Sequence, residues 1–294
     1  MAGGGRWPLA VRAAISLGLL FWLGRSISWA ELARALAGIG WPHVLAAAGW
    51  IAGSMVVSTA KWRLVLAALG FTPGWGELWE AYWAGLFANN FLPSSIGGDA
   101  LRIWWAGRLI GDPAAAAVSV VVERVLAATG LALTGLAGAG ILALFGAGPP
   151  GGVLKVAAGG FVLLAAGSLL ATALAAPSRP PEWLMQREGR VAGFLKGLAG
   201  RAGRLKGQWG RLGLVVALSA VFQVVVVLVN LAILRALGVH GIGWAQALFL
   251  IPLTSIAAML PLGVGGYGVR EGAYVALLGL VGVARGKAFA ASLL

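Results

Sequence analysis

The chain has 294 residues, of which 60% are hydrophobic and 11% are charged, so it has too little polar surface to cover a soluble globule. This composition excludes a water-soluble domain and predicts an all-α polytopic membrane protein of about seven or eight membrane elements. The formal charge of +13 does not indicate a nucleic-acid partner, because the basic residues gather in loops beside apolar segments, as the positive-inside bias of membrane proteins requires.

The N-terminal part of the chain predicts two spans. Residues 9–24 predict a first span that is retained, because no convincing cleavage site follows it. Residues 25–42 place charged and apolar side chains at helical spacings and predict an amphipathic interfacial segment. Residues 44–60 predict the second span, and Lys61, Trp62 and Arg63 after it are expected to mark its cytoplasmic interface.

The next segment predicts a re-entrant hairpin. Residues 75–91 contain two glutamates and two asparagines and stop near Pro93, so they suit a full crossing of about twenty apolar residues poorly. A second arm from Gly98 to Arg108 would return the chain to the side that carries Lys61 and Arg63, as the charge bias favours.

The remaining segments predict further spans around one polar block. Residues 114–145 and 153–176 predict two spans joined by a Gly-Pro-Pro-Gly turn, and residues 212–234 predict another. Residues 179–211 are rich in Lys and Arg and predict a cytoplasmic segment, part of it an amphipathic helix on the membrane surface. A solvated linker helix is the alternative for that segment. Residues 244–260, interrupted by Pro252, and residues 271–283 follow, and the chain ends in what resembles the start of a further apolar helix.

A polar, glycine-containing motif occurs twice. Residues 92–102 (LPSSIGGDALR) match residues 260–270 (LPLGVGGYGVR) in a leucine, a proline, a Gly-Gly pair and a final arginine, which we interpret as an internal duplication. Three predicted spans separate the copies, so the copies form an inverted repeat if the segment before each is re-entrant. If residues 244–260 cross fully, the copies are parallel instead. We expect a single membrane domain over residues 1–294, with one half at about 44–145, a basic segment at about 177–211 and a second half at about 212–294.

The duplicated motif predicts an anion site. Gly97-Gly98 and Gly265-Gly266 would expose backbone N–H groups beside a helix start, and Arg102 and Arg270 stand about one turn further on. The alternative is that the glycines are close helix contacts and the arginines interfacial anchors.

Several polar residues accompany the predicted site. Glu123 and Arg124 lie within an apolar segment, where each costs roughly 2.5–3.5 kcal/mol on insertion scales and usually faces a partner or a cavity. Asp99 and Glu271 are the expected counter-charges of Arg102 and Arg270. Asn89 and its neighbour Asn90 either hydrogen-bond a head group or pair with backbone groups freed by Pro93.

The sequence contains no constellation that indicates catalysis. It has no nucleophile–base pair, phosphate loop or zinc-ligand spacing and no cysteine, so we expect no enzyme activity, cofactor or metal. Two other classes stay open: an embedded lipid-modifying enzyme that uses Glu123, Asp99 and Glu271, and a structural or channel-like protein.

These motifs resemble a known family. The stretch from Asn90 to Arg102, the Glu123-Arg124 pair and the run from Leu260 to Gly272 resemble the flippase-like transmembrane domain of lysylphosphatidylglycerol synthases, of which bacteria and archaea have stand-alone members. The resemblance extends from about Arg12 to the C-terminus. One departure is the absence of the synthases' soluble aminoacyl-transferase domain, so lysyl-lipid synthesis is not expected. Two more are an alanine at position 127, where many members have an acidic residue, and a final helix that is expected to be truncated.

The resemblance implies a multi-pass protein of the bacterial or archaeal cell membrane that moves an aminoacylated phospholipid, another lipid or a lipid-linked sugar between leaflets. Two re-entrant motifs are expected to meet near the midplane and bind an anionic or zwitterionic head group. The expected partners are this lipid and an anionic lipid surface; the oligomeric state stays open, a homodimer included. The candidate substrate-binding residues are Asn90, Pro93, Gly97, Gly98, Asp99, Arg102, Glu123, Arg124, Pro261, Gly265, Gly266, Arg270 and Glu271.

Overall fold

The regular structure of the chain is helical. The computed structural model describes residues 6–25, 40–91, 95–145, 152–174, 189–259 and 266–294, together with the single positions 29, 33 and 149. Within these residues the chain forms α-helices and one 3-10 turn at Gly203–Leu205, and it forms no strand. The all-α prediction is confirmed.

The helices follow the predicted order. They are α1 (Arg6–Arg25), α2 (Trp41–Ala68), α3 (Trp75–Phe91), α4 (Ser95–Ile110), α5 (Pro113–Phe145), α6 (Val153–Leu174), α7 (Arg190–Ala202), α8 (Trp209–Ala236), α9 (Trp244–Met259), α10 (Val269–Gly279) and α11 (Arg285–Leu293). Among the described residues, four helices are long and apolar enough to cross a membrane, namely α2, α5, α6 and α8. The predicted amphipathic segment at residues 25–42 lies almost entirely outside the described residues.

One predicted span end is wrong. Helix α2 does not end at Lys61-Trp62-Arg63 but continues to Ala68, and the side chains of Lys61 and Trp62 are buried in the protein. The physical reason is packing: Trp62 belongs to an apolar cluster that includes Leu78 of α3 and Val120 of α5. Lys61 and Trp62 therefore do not anchor the helix at an interface, whereas Arg63 is exposed.

The chain divides into two compact units. The first unit comprises residues 1–52, 134–161 and 223–294, and the second comprises residues 53–133 and 162–222. In the first unit, Phe161 of α6 and Phe249 of α9 pack edge to face with their ring centroids 6.2 Å apart. Gly138 of α5 allows a close approach to α9, because an added Cβ would lie 2.5 Å from the Phe249 nitrogen. The two sequence halves proposed above stay a prediction.

In the second unit, part of the basic segment forms the predicted amphipathic helix. Helix α7 directs Ala202 into an apolar cluster with Val65 of α2 and Val122 of α5. Phe194 and Leu195 on the same helix stay exposed, as a helix that also faces lipid requires. The helix itself is confirmed within residues 190–202, and its binding to a membrane surface stays a prediction.

Helices α3 and α4 form the predicted hairpin, and α9 and α10 pack against each other in the corresponding way around the second motif. The bounds of α3 are those predicted, and α4 covers the predicted second arm. Whether either pair is re-entrant stays a prediction.

The orientation of the two motifs can be tested by labelling single cysteines, because the native chain has none. We expect Pro113→Cys and Gly241→Cys to react with an impermeant thiol reagent from opposite sides of the membrane, since three candidate spans (α5, α6 and α8) separate them. Pro113 is chosen instead of Gly111, two residues earlier, because the φ of +70° at Gly111 would strain a cysteine. Labelling of both positions from the same side would rule out the inverted repeat.

Asp112 gives a pH-dependent contribution to stability. Burial alone would raise the pKa of its carboxyl, but hydrogen bonds from the Ala115 N–H at 3.0 Å and from Arg201 at 2.8 Å outweigh that effect and lower the pKa. A depressed carboxyl pKa stabilises the fold above its unfolded value of about 3.9 and loses this effect as the pH falls through the folded pKa.

Asp112→Asn should therefore lower the apparent melting temperature at pH 7 by the equivalent of about 1 kcal/mol or less, since Asn still caps the helix and Arg201 is partly exposed. Thermal scans of parent and variant in detergent between pH 7 and pH 3 should show the difference closing at low pH. A difference that is the same at both pH values would contradict this account.

Candidate functional site

The second unit contains a buried cluster of charged side chains from α2, α4 and α5. The Glu123 carboxylate lies 3.5 Å from the Lys61 ammonium and 3.2 Å from the Arg102 guanidinium, and each of the three side chains is at most 4% exposed. The ammonium also lies 4.8 Å from the centroid of the Phe222 ring. Two cations thus face one buried carboxylate, an arrangement that a low-dielectric interior tolerates only when the partners are close.

Arg102 is enclosed by aromatic rings. Its guanidinium carbon lies 4.3 Å from the ring centroids of both Trp62 and Tyr82, and Nη1 and Nη2 donate to Glu123 Oε2. Gly85 of α3 provides the space, because a Cβ at that position would lie 2.6 Å from Arg102 Cγ. A head group could reach this arginine directly only if the enclosure opened, so its predicted role in binding stays a prediction.

Arg124 carries the accessible positive charge of this cluster. Its side chain is 43% exposed and its Nη2 atom lies 2.8 Å from Asp99 Oδ1. Asp99 also lies 3.6 Å from Arg102, so the predicted counter-charge is confirmed, although its shorter contact is to Arg124. Glu123 and Arg124 differ in burial because successive residues of an α-helix are rotated by about 100° around its axis.

The structure corrects the role predicted for Gly98. Gly97 and Gly98 lie inside the first turns of α4 rather than before it, and the Gly98 N–H donates to Asn89 Oδ1 at 2.9 Å. An added Cβ at Gly98 would overlap the Gly85 carbonyl and the Asn89 side chain. Gly98 is therefore a close contact between α3 and α4, and its N–H is not an exposed anion donor.

The first unit places a second accessible arginine at the start of α10. Arg270 is 43% exposed, and its Nη2 atom lies 3.0 Å from Oε1 of the fully buried Glu271, which confirms the predicted pair. Oε2 of Glu271 accepts a hydrogen bond from the Gly268 N–H at 2.6 Å, as the glutamate of a capping box does. The guanidinium also lies 5.9 Å from the ring centroid of Tyr267.

The two motif copies are folded differently. Gly266 and Gly268 have φ values of +79° and +83°, so the second motif forms a turn and its helix begins only at Val269. Leu101 is the matching residue of the first motif, yet it already lies in the second turn of α4. Both arginines remain one turn beyond the Gly-Gly pair, as predicted.

Four predicted site residues are not fully described by the structure. Pro93, Pro261 and Gly265 lie outside the described residues. Asn90 belongs to α3, but the structure describes only its backbone.

Sequence analysis missed several polar residues of these sites. Lys61 was assigned to an interface, although the apolar run after Arg63 was a signal that the helix continues. Asn230 of α8 accepts a 2.5 Å hydrogen bond from the Tyr274 hydroxyl. An amide side chain inside an apolar span is the sequence feature that could have indicated it. No sequence pattern indicates that Tyr82 and Gly85 lie against Arg102.

The arrangement suits reversible binding of an anion. Arg124 and Arg270 each present an exposed guanidinium that a less exposed carboxylate holds in place, so an incoming phosphate would find an oriented, charge-assisted donor. Among the described residues, no group of three or more histidine or carboxylate side chains is placed to hold a metal ion.

Comparisons with known proteins agree with the sequence resemblance. The family model described as "Lysylphosphatidylglycerol synthase TM region" matches residues 9–294. A UPF0104 membrane protein of Methanocaldococcus jannaschii is 37% identical over 73 residues, which are 24% of this chain and 22% of that protein. The chain therefore matches less than a quarter of that relative's length. No solved structure matches the chain.

Proposed function

Since this chain belongs to the lysylphosphatidylglycerol synthase TM region family, we propose that it is a lipid transporter, a flippase or scramblase that moves a phospholipid or a lipid-linked head group between leaflets of the cell membrane. The match over most of the chain and the candidate spans support a multi-pass membrane protein. The transport activity and the location in the cell membrane are proposals that go beyond these observations.

One observation carries the proposal: each unit has an arginine that is paired and yet accessible. The side chains of Arg124 and Arg270 are both 43% exposed, whereas their partners Asp99 and Glu271 are 20% and 0% exposed. Exposure of an arginine whose carboxylate partner is less exposed leaves N–H groups of the guanidinium available to another anion. An external anion can bind only if the guanidinium is exposed, whereas the carboxylate partner can stay buried.

The physical need for such groups is large. A phosphate that enters the hydrocarbon region without a counter-charge pays the cost of an isolated buried ion, several kcal/mol even after relaxation. A guanidinium has five N–H donors, so it can contact the phosphate while it keeps a bond to its carboxylate, and the occupied site then carries one net negative charge instead of an unpaired buried phosphate. We propose that Arg124 and Arg270 serve anionic head groups in this way.

The test is leaflet exchange in proteoliposomes. Vesicles with and without the purified protein would contain a fluorescent phosphatidylglycerol, and an impermeant reductant would bleach the label in the outer leaflet. We expect the bleached fraction to rise above that of protein-free vesicles. Fluorescent phosphatidylethanolamine and a labelled polyprenyl phosphate would be assayed in parallel, and no gain for any of the three would contradict the proposal.

Analysis of the recovered lipids by mass spectrometry separates transport from chemistry. A transporter leaves the mass of the labelled lipid unchanged. A new product that forms only with the protein would instead indicate a membrane-embedded lipid-modifying enzyme.

A further inference from the structure

A cavity of about 450 Å³ lies beside the C-terminal end of α2, within the second unit and away from the buried charge cluster. One face of α2, with Arg63, Leu64 and Ala67, forms a wall of it. Arg63 and Leu64 lie four and three positions before Ala67, so both are neighbours of Ala67 on the helix surface. The volume is within the range of roughly 300–1,000 Å³ that is typical of ligand sites.

The other walls add polar and aromatic groups. Thr72 lines the cavity from the connection between α2 and α3, Trp75 from the start of α3, and Arg211 from the first turn of α8. The cavity therefore combines two guanidinium groups, a hydroxyl and an indole ring with an apolar helix face. This is the composition expected for one end of a lipid, in which a charged head group continues into an acyl chain.

Both arginines are available to an anion. Within the part of the chain that the structure describes, neither Arg63 nor Arg211 forms an ion pair with a carboxylate. Nη1 of Arg211 donates to the Ala67 carbonyl at 3.3 Å and to Gln208 Oε1 at 3.0 Å. These bonds fix the guanidinium at the end of α2, and its other N–H groups remain for a ligand.

The cavity lies where two candidate spans end. The span of α2 ends at Ala68 and that of α8 begins at Trp209, and Trp75 and Trp209 are exposed beside it. Tryptophan at span ends is typical of the level of the lipid head groups, and the positive-inside bias predicts that this end, which follows the basic helix α7, faces the cytoplasm. A basic pocket between membrane helices on that side is suited to anionic lipid.

We propose that this cavity binds the phosphodiester of an anionic phospholipid from the cytoplasmic leaflet, between Arg63 and Arg211, with an acyl chain along the Leu64 face of α2. The lipid is a resident ligand rather than the transported molecule. This inference does not depend on the proposed function, because its arginines are not those assigned to transport.

The test is native mass spectrometry of the detergent-purified full chain titrated with phosphatidylglycerol and with phosphatidylcholine of the same acyl chains. We expect tighter binding of phosphatidylglycerol. Arg211→Gln should weaken it roughly tenfold, the effect of losing one charge-assisted contact. Arg235→Gln is the matched control, since it removes one exposed arginine from the opposite end of the same helix, and it should change binding less than about twofold.

Arg63→Gln provides a second variant with little effect on folding, because that arginine is exposed and has no ion pair among the described residues. It should weaken phosphatidylglycerol binding as Arg211→Gln does. Equal weakening by Arg235→Gln, or equal affinity for phosphatidylcholine, would overturn the site. Displacement of the bound lipid by millimolar glycerol phosphate would assign the cavity to a soluble phosphate compound and would also overturn the proposal.

Discussion

Glu123→Gln is expected to destabilise the protein by about 3–5 kcal/mol, because it leaves the buried cations Lys61 and Arg102 without their shared carboxylate. Glutamine has the same size as glutamate and preserves the packing, so the loss of stability measures the contribution of the charge. In detergent, at a fixed heating rate, the apparent melting temperature should fall on the order of 10 °C.

The matched control is Glu80→Gln, which removes an exposed carboxylate of α3 and should leave the melting temperature close to that of the parent. A second check is the double variant Lys61→Met with Glu123→Gln. Since it removes Lys61, whose ion pair among the described residues is with Glu123, whereas Arg102 keeps Asp99, it should be more stable than the sum of the single effects predicts. A melting temperature of Glu123→Gln equal to that of the parent would mean that the ion cluster contributes no stability.

Arg270→Gln is expected to slow lipid movement roughly ten- to a hundredfold, since loss of a charge-assisted contact costs about 1.5–3 kcal/mol if the contact forms in the rate-limiting step. Glu271 is fully buried and loses its cation in this variant, keeping the hydrogen bond from the Gly268 N–H, so the melting temperature is measured alongside and transport is assayed where the variant is folded. The assay is leaflet exchange of whichever labelled lipid the parent protein moves, with folding checked by monodispersity.

Arg108→Gln is the control for Arg270→Gln. Arg108 is exposed, contacts Trp104 and lies outside the duplicated motif, so its substitution should leave lipid movement near the parental rate. If Arg270→Gln and the parent move lipid equally fast, the arginine serves topology rather than transport.

The arginines of the second unit need a different choice of variant. We expect Arg102 to be required, but its substitution would also disrupt the buried cluster, so lost activity would not distinguish binding from folding. Arg124→Gln is the sharper variant, because that side chain is accessible and contacts only Asp99 among the described carboxylates. Its effect on lipid movement should resemble that of Arg270→Gln.

The sequence by itself determined where most helices lie and which charges pair locally. The bounds of α3 and α5 could be predicted because proline, glycine and polar residues interrupt long apolar runs, and span length is set by membrane thickness. The pairs Arg270–Glu271 and Asp99–Arg102 could be predicted because the partners are adjacent or one helical turn apart.

Only the tertiary structure decided which charges are buried and which are accessible. Glu123 and Arg124 are neighbours in sequence, yet one is enclosed with Lys61 and Arg102 while the other is exposed, because the packing of α2 and α4 against α5 selects which face of α5 is covered. Lys61 and Glu123 are distant in sequence, so their contact depends on how the helices pack and no local pattern specifies it.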